Sequence, residues 1–265
     1  KLLQPFLKGI MNKIVKYIML DILKSKVVIA YLVFLMVTGF SIFNLDENTS
    51  KGLISLLNII LFIVPLVCLI YATIYIFNSS EFIELLTAQP VSRKKLIISI
   101  YAGVVLSLTL AFLIGIGLPI LLFTPDVTGF IFLLAGILLT LIFTSLAFLG
   151  SIITKDKAKG IGVAIFAWLF FTILYDGLLL LLMFQFGDYP IEKPLMILTT
   201  FNPVDLARIL ILIHTDYSAL MGYTGALFNE FLGSQKGTIT ILLILLIWIV
   251  MPTLLAVRKF RKKDL

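Results

Sequence analysis

The sequence is poor in the residues from which active sites are built. It holds one histidine, His214, and one cysteine, Cys68, among 265 residues, and only 13% of the chain is charged. A single cysteine excludes a disulfide within the chain. No His-x-x-x-His helix, cysteine pair, paired carboxylates or nucleophile–base set is evident, which argues against metal or acid–base catalysis. No G-x-x-x-x-G-K-[ST] loop occurs either, so any nucleotide hydrolysis has to come from another polypeptide. Cys68 stands among Val67, Leu69 and Ile70 and reads as a small buried thiol. His214 could join Asp216 or Met221 on a metal, but packing or hydrogen bonding at an interface is the simpler role. The seven methionines are scattered, and flexible apolar packing accounts for Met183, Met196 and Met221, so no metal site and no bound cofactor are expected in this chain.

Long apolar runs are what the sequence has in abundance. With 61% hydrophobic residues and a mean hydropathy of +1.15, a water-soluble core could not hide its apolar surface. A hydrocarbon layer of roughly 30 Å takes about 20 helical residues to cross. Six stretches meet or approach that length: 27–43, 54–77, 96–123, 129–153, 161–186 and 239–257. They are continuously apolar rather than alternating, which favours helices over barrel strands. The expected fold is therefore an all-α integral membrane protein of six transmembrane helices. The first run is long, starts late and is followed by Asn44-Leu45-Asp46-Glu47 without a small-x-small pattern, so it is expected to stay attached. Residues 1–10 precede Met11, and MNKIVKYIMLDILKSK alone makes a complete basic, amphipathic lead-in; the natural start is expected at Met11.

The basic residues set the orientation. With both termini in the cytoplasm, all of the 21 Lys and Arg residues except Lys51, Lys193, Arg208 and Lys236 fall on the inner side. The net charge of +7 thus reflects topology, and no nucleic-acid module accompanies it. The organisation is an N-terminal cytoplasmic segment (1–26), a six-helix membrane domain (27–257) and a basic cytoplasmic tail (258–265).

Three features interrupt the apolar runs. Asp176, in FTILYDGLLLLL, is an acid inside a spanning segment and has to face protein or water. It would either belong to a substrate path or inter-subunit network, or make an interhelical contact, protonated or bonded to a hydroxyl such as Tyr175. Gly115, Gly117 and Pro119 in LIGIGLPILL predict a bend in the third helix, or close packing against a neighbour. Pro65 in the second helix carries the same two readings.

Residues 82–96 read FIELLTAQPVSRKKL. Asn78 and Glu81 can form a capping box for a short helix on which Phe82, Leu85 and Leu86 make one apolar stripe. Pro90 ends it, and Arg93, Lys94 and Lys95 lead into the next span. Such a helix lies on the lipid surface or fills a groove in another protein, and the sequence allows both. Residues 187–237, on the outer side, are too polar in places to span and too apolar to be a linker. Asn202 and Pro203 supply an N-cap and first helical position, Asp205 suits the first turn, and LARILILI follows. At eleven or so residues that helix is too short to cross, and it predicts a re-entrant hairpin or an outer cap.

The string FIELLTAQPVSRKKL resembles the signature of ABC-2 type transporter permeases, in which a coupling helix between the second and third spans docks on a cytoplasmic ATPase. The resemblance implies that Glu81, Phe82, Glu84 and Leu85 meet that ATPase, while Gln89, Pro90, Ser92 and Arg93 shape the turn into the membrane. Many relatives carry a lysine just inside the next helix, where this chain reads Ile98-Ser99-Ile100-Tyr101. FNPVDLARILILI and DYSALMGYTGALF are similar to the NosY branch, the permeases of transporters that assist maturation of nitrous oxide reductase, over about residues 11–257. That branch implies a dimer with a second copy of the chain, a NosF-like ATPase carrying ATP and Mg, and a NosD-like extracytoplasmic partner. It implies a bacterial inner membrane location and an outer gate or partner contact through Asn202, Pro203, Asp205, Arg208, Met221 and Tyr223. The cargo, copper or a sulfur species, is left open. The rivals are an ABC-2 exporter of lipid, peptide or drug, a membrane-embedded enzyme, and a scaffold for maturation factors.

Overall fold

Six helices are long and apolar enough to cross a membrane, as the hydropathy pattern predicts. The computed structural model describes residues 3–45, 49–87, 92–187, 189, 192–215 and 234–262. Every regular element among them is helical. The amphipathic α1 (Leu3–Leu23) precedes span one, α2 (Lys26–Leu45), and span two, α3 (Thr49–Asn78). A short α4 (Ser80–Thr87) leads to span three, made of α5 (Arg93–Phe112), a π-helical segment (Leu113–Gly117) and α6 (Leu118–Phe123). Span four is α7 (Val127–Ile153). Span five is α8 (Lys157–Leu169), a second π-helical segment (Phe170–Leu174) and α9 (Tyr175–Gln185). Two short helices, α10 (Glu192–Thr199) and α11 (Pro203–Ile213), precede span six, α12 (Gln235–Lys262). The helices outrun the apolar runs by a turn or so because the backbone stays helical into the head-group region.

Span four is the centre of the bundle, with α3, α5, α11 and α12 all packed on it. Between helices already in lipid there is little hydrophobic drive, so close packing and interhelical hydrogen bonds have to hold them together. Both are present. The ring of Phe112 lies over Gly136 where a side-chain carbon would overlap it. The Tyr101 hydroxyl meets Ser145 Oγ at 2.7 Å, and Thr253 donates to the same oxygen at 3.0 Å, tying spans three, four and six. Trp168 Nε1 donates to the Phe62 carbonyl at 3.0 Å, fastening span five to span two. Before span one, α1 lays Ile14, Ile18 and Ile22 against α5, and turns Lys13, Lys16 and Tyr17 outward.

Both readings of the glycine-proline stretch hold. Pro119 cannot donate to the helix, and the π-helical turn just before it widens the ladder where its ring would press on the Gly115 carbonyl. The same glycines admit span one: a side-chain carbon on Gly115 would sit 2.8 Å from Leu35 Cβ, and one on Gly39 2.9 Å from Pro119 Cγ. Pro65 stays inside a continuous α3.

Filling the space at Gly136 should therefore loosen spans three and four. Gly136→Val is expected to cost about 1–3 kcal/mol through displacement of Phe112, read as a lower thermal midpoint of the full chain in lipid nanodiscs. Gly162→Ala, where nothing lies within 4 Å of the new carbon, is the matched control and should leave the midpoint in place.

Candidate functional site: a docking helix and a buried ion cluster

Two polar constellations stand at opposite ends of the bundle. At the lysine-rich end, α4 follows α3 with a single residue between them, and the hydrogen-bond ladder runs through the joint. The Ser79 amide donates to the Tyr75 carbonyl, and the Ile83 amide to Ser79, both at 2.9 Å. The expected capping box does not form. The Asn78 side chain instead accepts a 2.7 Å bond from Lys157 Nζ, because the last turn of span two faces the first turn of span five. The apolar stripe is also corrected: Ile83 is the buried side chain of α4, with Leu86 half-buried. Phe82 and Leu85 are left outward, Leu85 at 70% exposure, with Glu81 and Glu84 beside them. Phe82 meets the exposed Tyr17 of α1 with ring centroids 5.9 Å apart, a contact that nothing in the local sequence announces. Arg93 opens α5 and is exposed. Gln89 and Pro90 lie outside the described residues.

At the other end, α11 is pushed into the bundle rather than laid over it. Asn202 caps it by accepting from the Val204 amide at 3.0 Å, and Pro203 fills the first turn, as the sequence predicts. All of its residues from Pro203 to Ile211 except Arg208 are buried, packed against α7, α12 and α3. Of the residues expected at an outer gate or partner contact, Asn202, Pro203 and Asp205 are buried in the bundle and Arg208 is partly exposed. A helix this apolar, joined to two spans at its base, hides more surface between helices than above them. Met221 and Tyr223, and the rest of the hairpin expected through residue 231, lie outside the described residues. His214 ends α11 with Nδ1 2.9 Å from the Leu210 carbonyl.

Asn202 does more than cap. Its Nδ2 donates to the Phe171 carbonyl and to Asp205 Oδ2, both at 2.9 Å. Phe171 belongs to the π-helical segment of span five, so Asn202 fastens the start of α11 to that irregular turn. Arg208 Nη1 then bridges two acids, Asp176 Oδ2 of α9 at 2.8 Å and Asp205 Oδ1 at 3.0 Å. The fold thus brings together paired carboxylates that no spacing in the sequence reveals. One hint was available: an arginine in the apolar LARILILI and a lone acid in a span are each costly alone, and pairing relieves both. The cluster opens on one edge, since Asp176 and Arg208 are about a quarter exposed and Asp205 only 6%.

Burial pushes the Asp205 carboxyl up to about 8, helped by a hydrogen bond and like charge from Asp176 and opposed by Arg208 and Asn202. Around the cluster, the Tyr175 hydroxyl donates to the Leu198 carbonyl at 2.6 Å and Trp248 Nε1 to Thr200 at 3.1 Å. The segment before α11 is thereby pinned to spans five and six. No group of three or more metal-ligating side chains occurs among the described residues.

Removing the shared cation should expose this design. Arg208→Met is expected to destabilise the chain by on the order of 2 kcal/mol, less than a fully buried pair because Asp176 and Arg208 are each about a quarter exposed. The double variant Arg208→Met/Asp176→Asn should regain part of that loss, and a thermal double-mutant cycle measures the coupling.

Residues 14–265 match the family described as ABC-2 family transporter protein. The chain is similar to the "Probable ABC transporter permease protein NosY" of Pseudomonas aeruginosa, 32% identical over 180 residues that cover 63% of this chain and 66% of that protein. It therefore spans just under two thirds of that relative's length. It is also similar to the protein of the same description in Stutzerimonas stutzeri, 28% identical over 234 residues, 79% of each chain. A six-span helical bundle, matched over all but its first thirteen residues, places the chain in the ABC-2 transporter family.

Proposed function

We propose that the chain is the membrane-spanning permease subunit of an ATP-driven transporter that serves maturation of the copper centres of nitrous oxide reductase. It carries no catalysis of its own. ATP and Mg are bound and turned over by a NosF-like cytoplasmic ATPase, and the permease acts as a homodimer in the bacterial inner membrane. A NosD-like extracytoplasmic protein rests on the opposite face, and the cargo is copper or a sulfur species. The reading is supported by the relatives described as NosY permeases and by the resemblance of residues 82–96 to the coupling signature.

The observation that carries the transporter reading is the outward face of α4. Ile83 and Leu86 seat the helix on its own chain, which leaves Phe82 and Leu85 as apolar anchors and Glu81 and Glu84 as charges for a basic rim. A surface helix that only floated on lipid would turn its apolar residues toward the bilayer and would want basic partners rather than two acids. Because two backbone hydrogen bonds flank the one-residue joint to α3, force applied to α4 reaches span two without a slack linker. Span two packs on α7 and α8, and α7 holds α11, so a continuous run of packed helices joins the two ends.

Leu85→Asp and Glu84→Arg should each weaken co-purification of the ATPase by about tenfold or more, the scale of an interface anchor. Thermal stability of the permease itself should stay within about 0.5 kcal/mol, since both side chains are exposed. ATPase binding and transport-coupled turnover that survive both changes intact would sink the reading.

A further inference from the structure

Among the described side chains the ion cluster is unbalanced by one charge. Asp176 and Asp205 are two carboxylates, Arg208 is one guanidinium, and a single nitrogen of Arg208 serves both acids. The other donor at Asp205 is the neutral amide of Asn202. The charged groups bearing on Asp205 are Asp176 and Arg208. Helix α7 contains no charged residue, α10 carries Glu192 and Lys193 in its first turn, α12 has only the exposed Lys236 at this end, and α3 has only Lys51 in its first turn. The titratable Tyr175 of α9 also feels the charge of Asp205. Two ionised carboxyls held against each other in a site this closed are unfavourable, and a single proton restores neutrality.

We propose that Asp205 and Asp176 form a proton-binding site, in which one proton resides on Asp205 and bridges to the Asp176 carboxylate, and that its release loosens the re-entrant α11 from span five. The proton leaves through the open edge, where Asp176 and Arg208 are partly exposed. With it gone, two negative carboxylates face each other across the junction of α9 and α11, and one Arg208 cannot neutralise both. The sign follows from linkage. The carboxyl binds its proton more tightly folded than unfolded, so its stabilising effect is complete in acid, below the ordinary carboxylate range. It is lost as the pH rises through about 8. The site belongs to this chain alone and stands or falls independently of the proposed transport role.

Infrared spectroscopy of the full chain in lipid nanodiscs reads the site directly, because a protonated carboxyl absorbs apart from carboxylates. At neutral pH the folded protein should show one such band, titrating away only on the alkaline side. Asp205→Asn should abolish it. Asp176→Asn should shift its midpoint downward by about one pH unit or more, since the like charge that favours protonation is gone. On a Trp168→Phe background, the fluorescence of Trp248, bonded to Thr200 just before α11, should change over the same pH range, and should not change in Asp205→Asn. Retained helicity by circular dichroism qualifies each variant; should Asp205→Asn fail to fold, the midpoint shift in Asp176→Asn decides. Absence of the band at neutral pH, its persistence in Asp205→Asn, or a midpoint indifferent to Asp176→Asn would each overturn the proposal.

Discussion

In the hydrocarbon layer no water is at hand to satisfy a stray backbone group, so every departure from regular helix has to carry its own partner. This constraint explains the bond from Asn202 to the Phe171 carbonyl. Span five has a π-helical turn, and an amide from the segment before α11 donates to a carbonyl in it. That same amide reaches Asp205, and its oxygen starts α11. One side chain therefore serves an irregular span, a helix start and a buried acid together. An alanine there would orphan all three.

Close approach holds much of the rest of the bundle. Gly136 receives Phe112, and Gly39 and Gly115 let span one lie against the π-helical turn of span three. Contacts of this kind resist compression but tolerate small sliding, since they lack directional bonds across the interface. Directional bonds add to them inside the bundle, through Tyr101–Ser145–Thr253 and Trp168 with Phe62, and at its two ends, through Asn78 with Lys157 at one and the Asp176–Arg208–Asp205 cluster at the other. Both ends involve span five, which packs on span two through α8 and keeps few fully buried side chains in its most apolar stretch.

The spans were legible because bilayer thickness imposes a length and a polarity that no tertiary contact can override. The cap of α11 was legible for a related reason: Asn202, Pro203 and Asp205 act on the backbone next to them. The errors came where a side chain had a choice of distant partners. Asn78 had the spacing of a capping box yet bonds Lys157, seventy-nine residues on. The apolar residues of α4 looked like one stripe, but an eight-residue helix has too few of them to fix which face turns inward, and Ile83 won. Asp176 and Arg208 lie far apart in the chain, and only the return of α11 into the bundle makes them neighbours.

The difference between the two ends is itself informative. At α4 the apolar and acidic side chains are exposed on a helix whose backbone is continuous with a span, an arrangement that gains nothing for an isolated chain and makes sense only against a partner. At α11 the apolar surface is already consumed inside the bundle, and Arg208 bridges both acids within the chain. A partner on that side therefore meets a helix that is already seated, and can act on it only by competing with the Arg208 bridge or by changing the charge around it. The proposed docking at α4 therefore acts by contact and the proposed proton site at α11 by electrostatics, since a largely buried ion cluster responds to a single proton or a single approaching ion far more sharply than a solvated surface does.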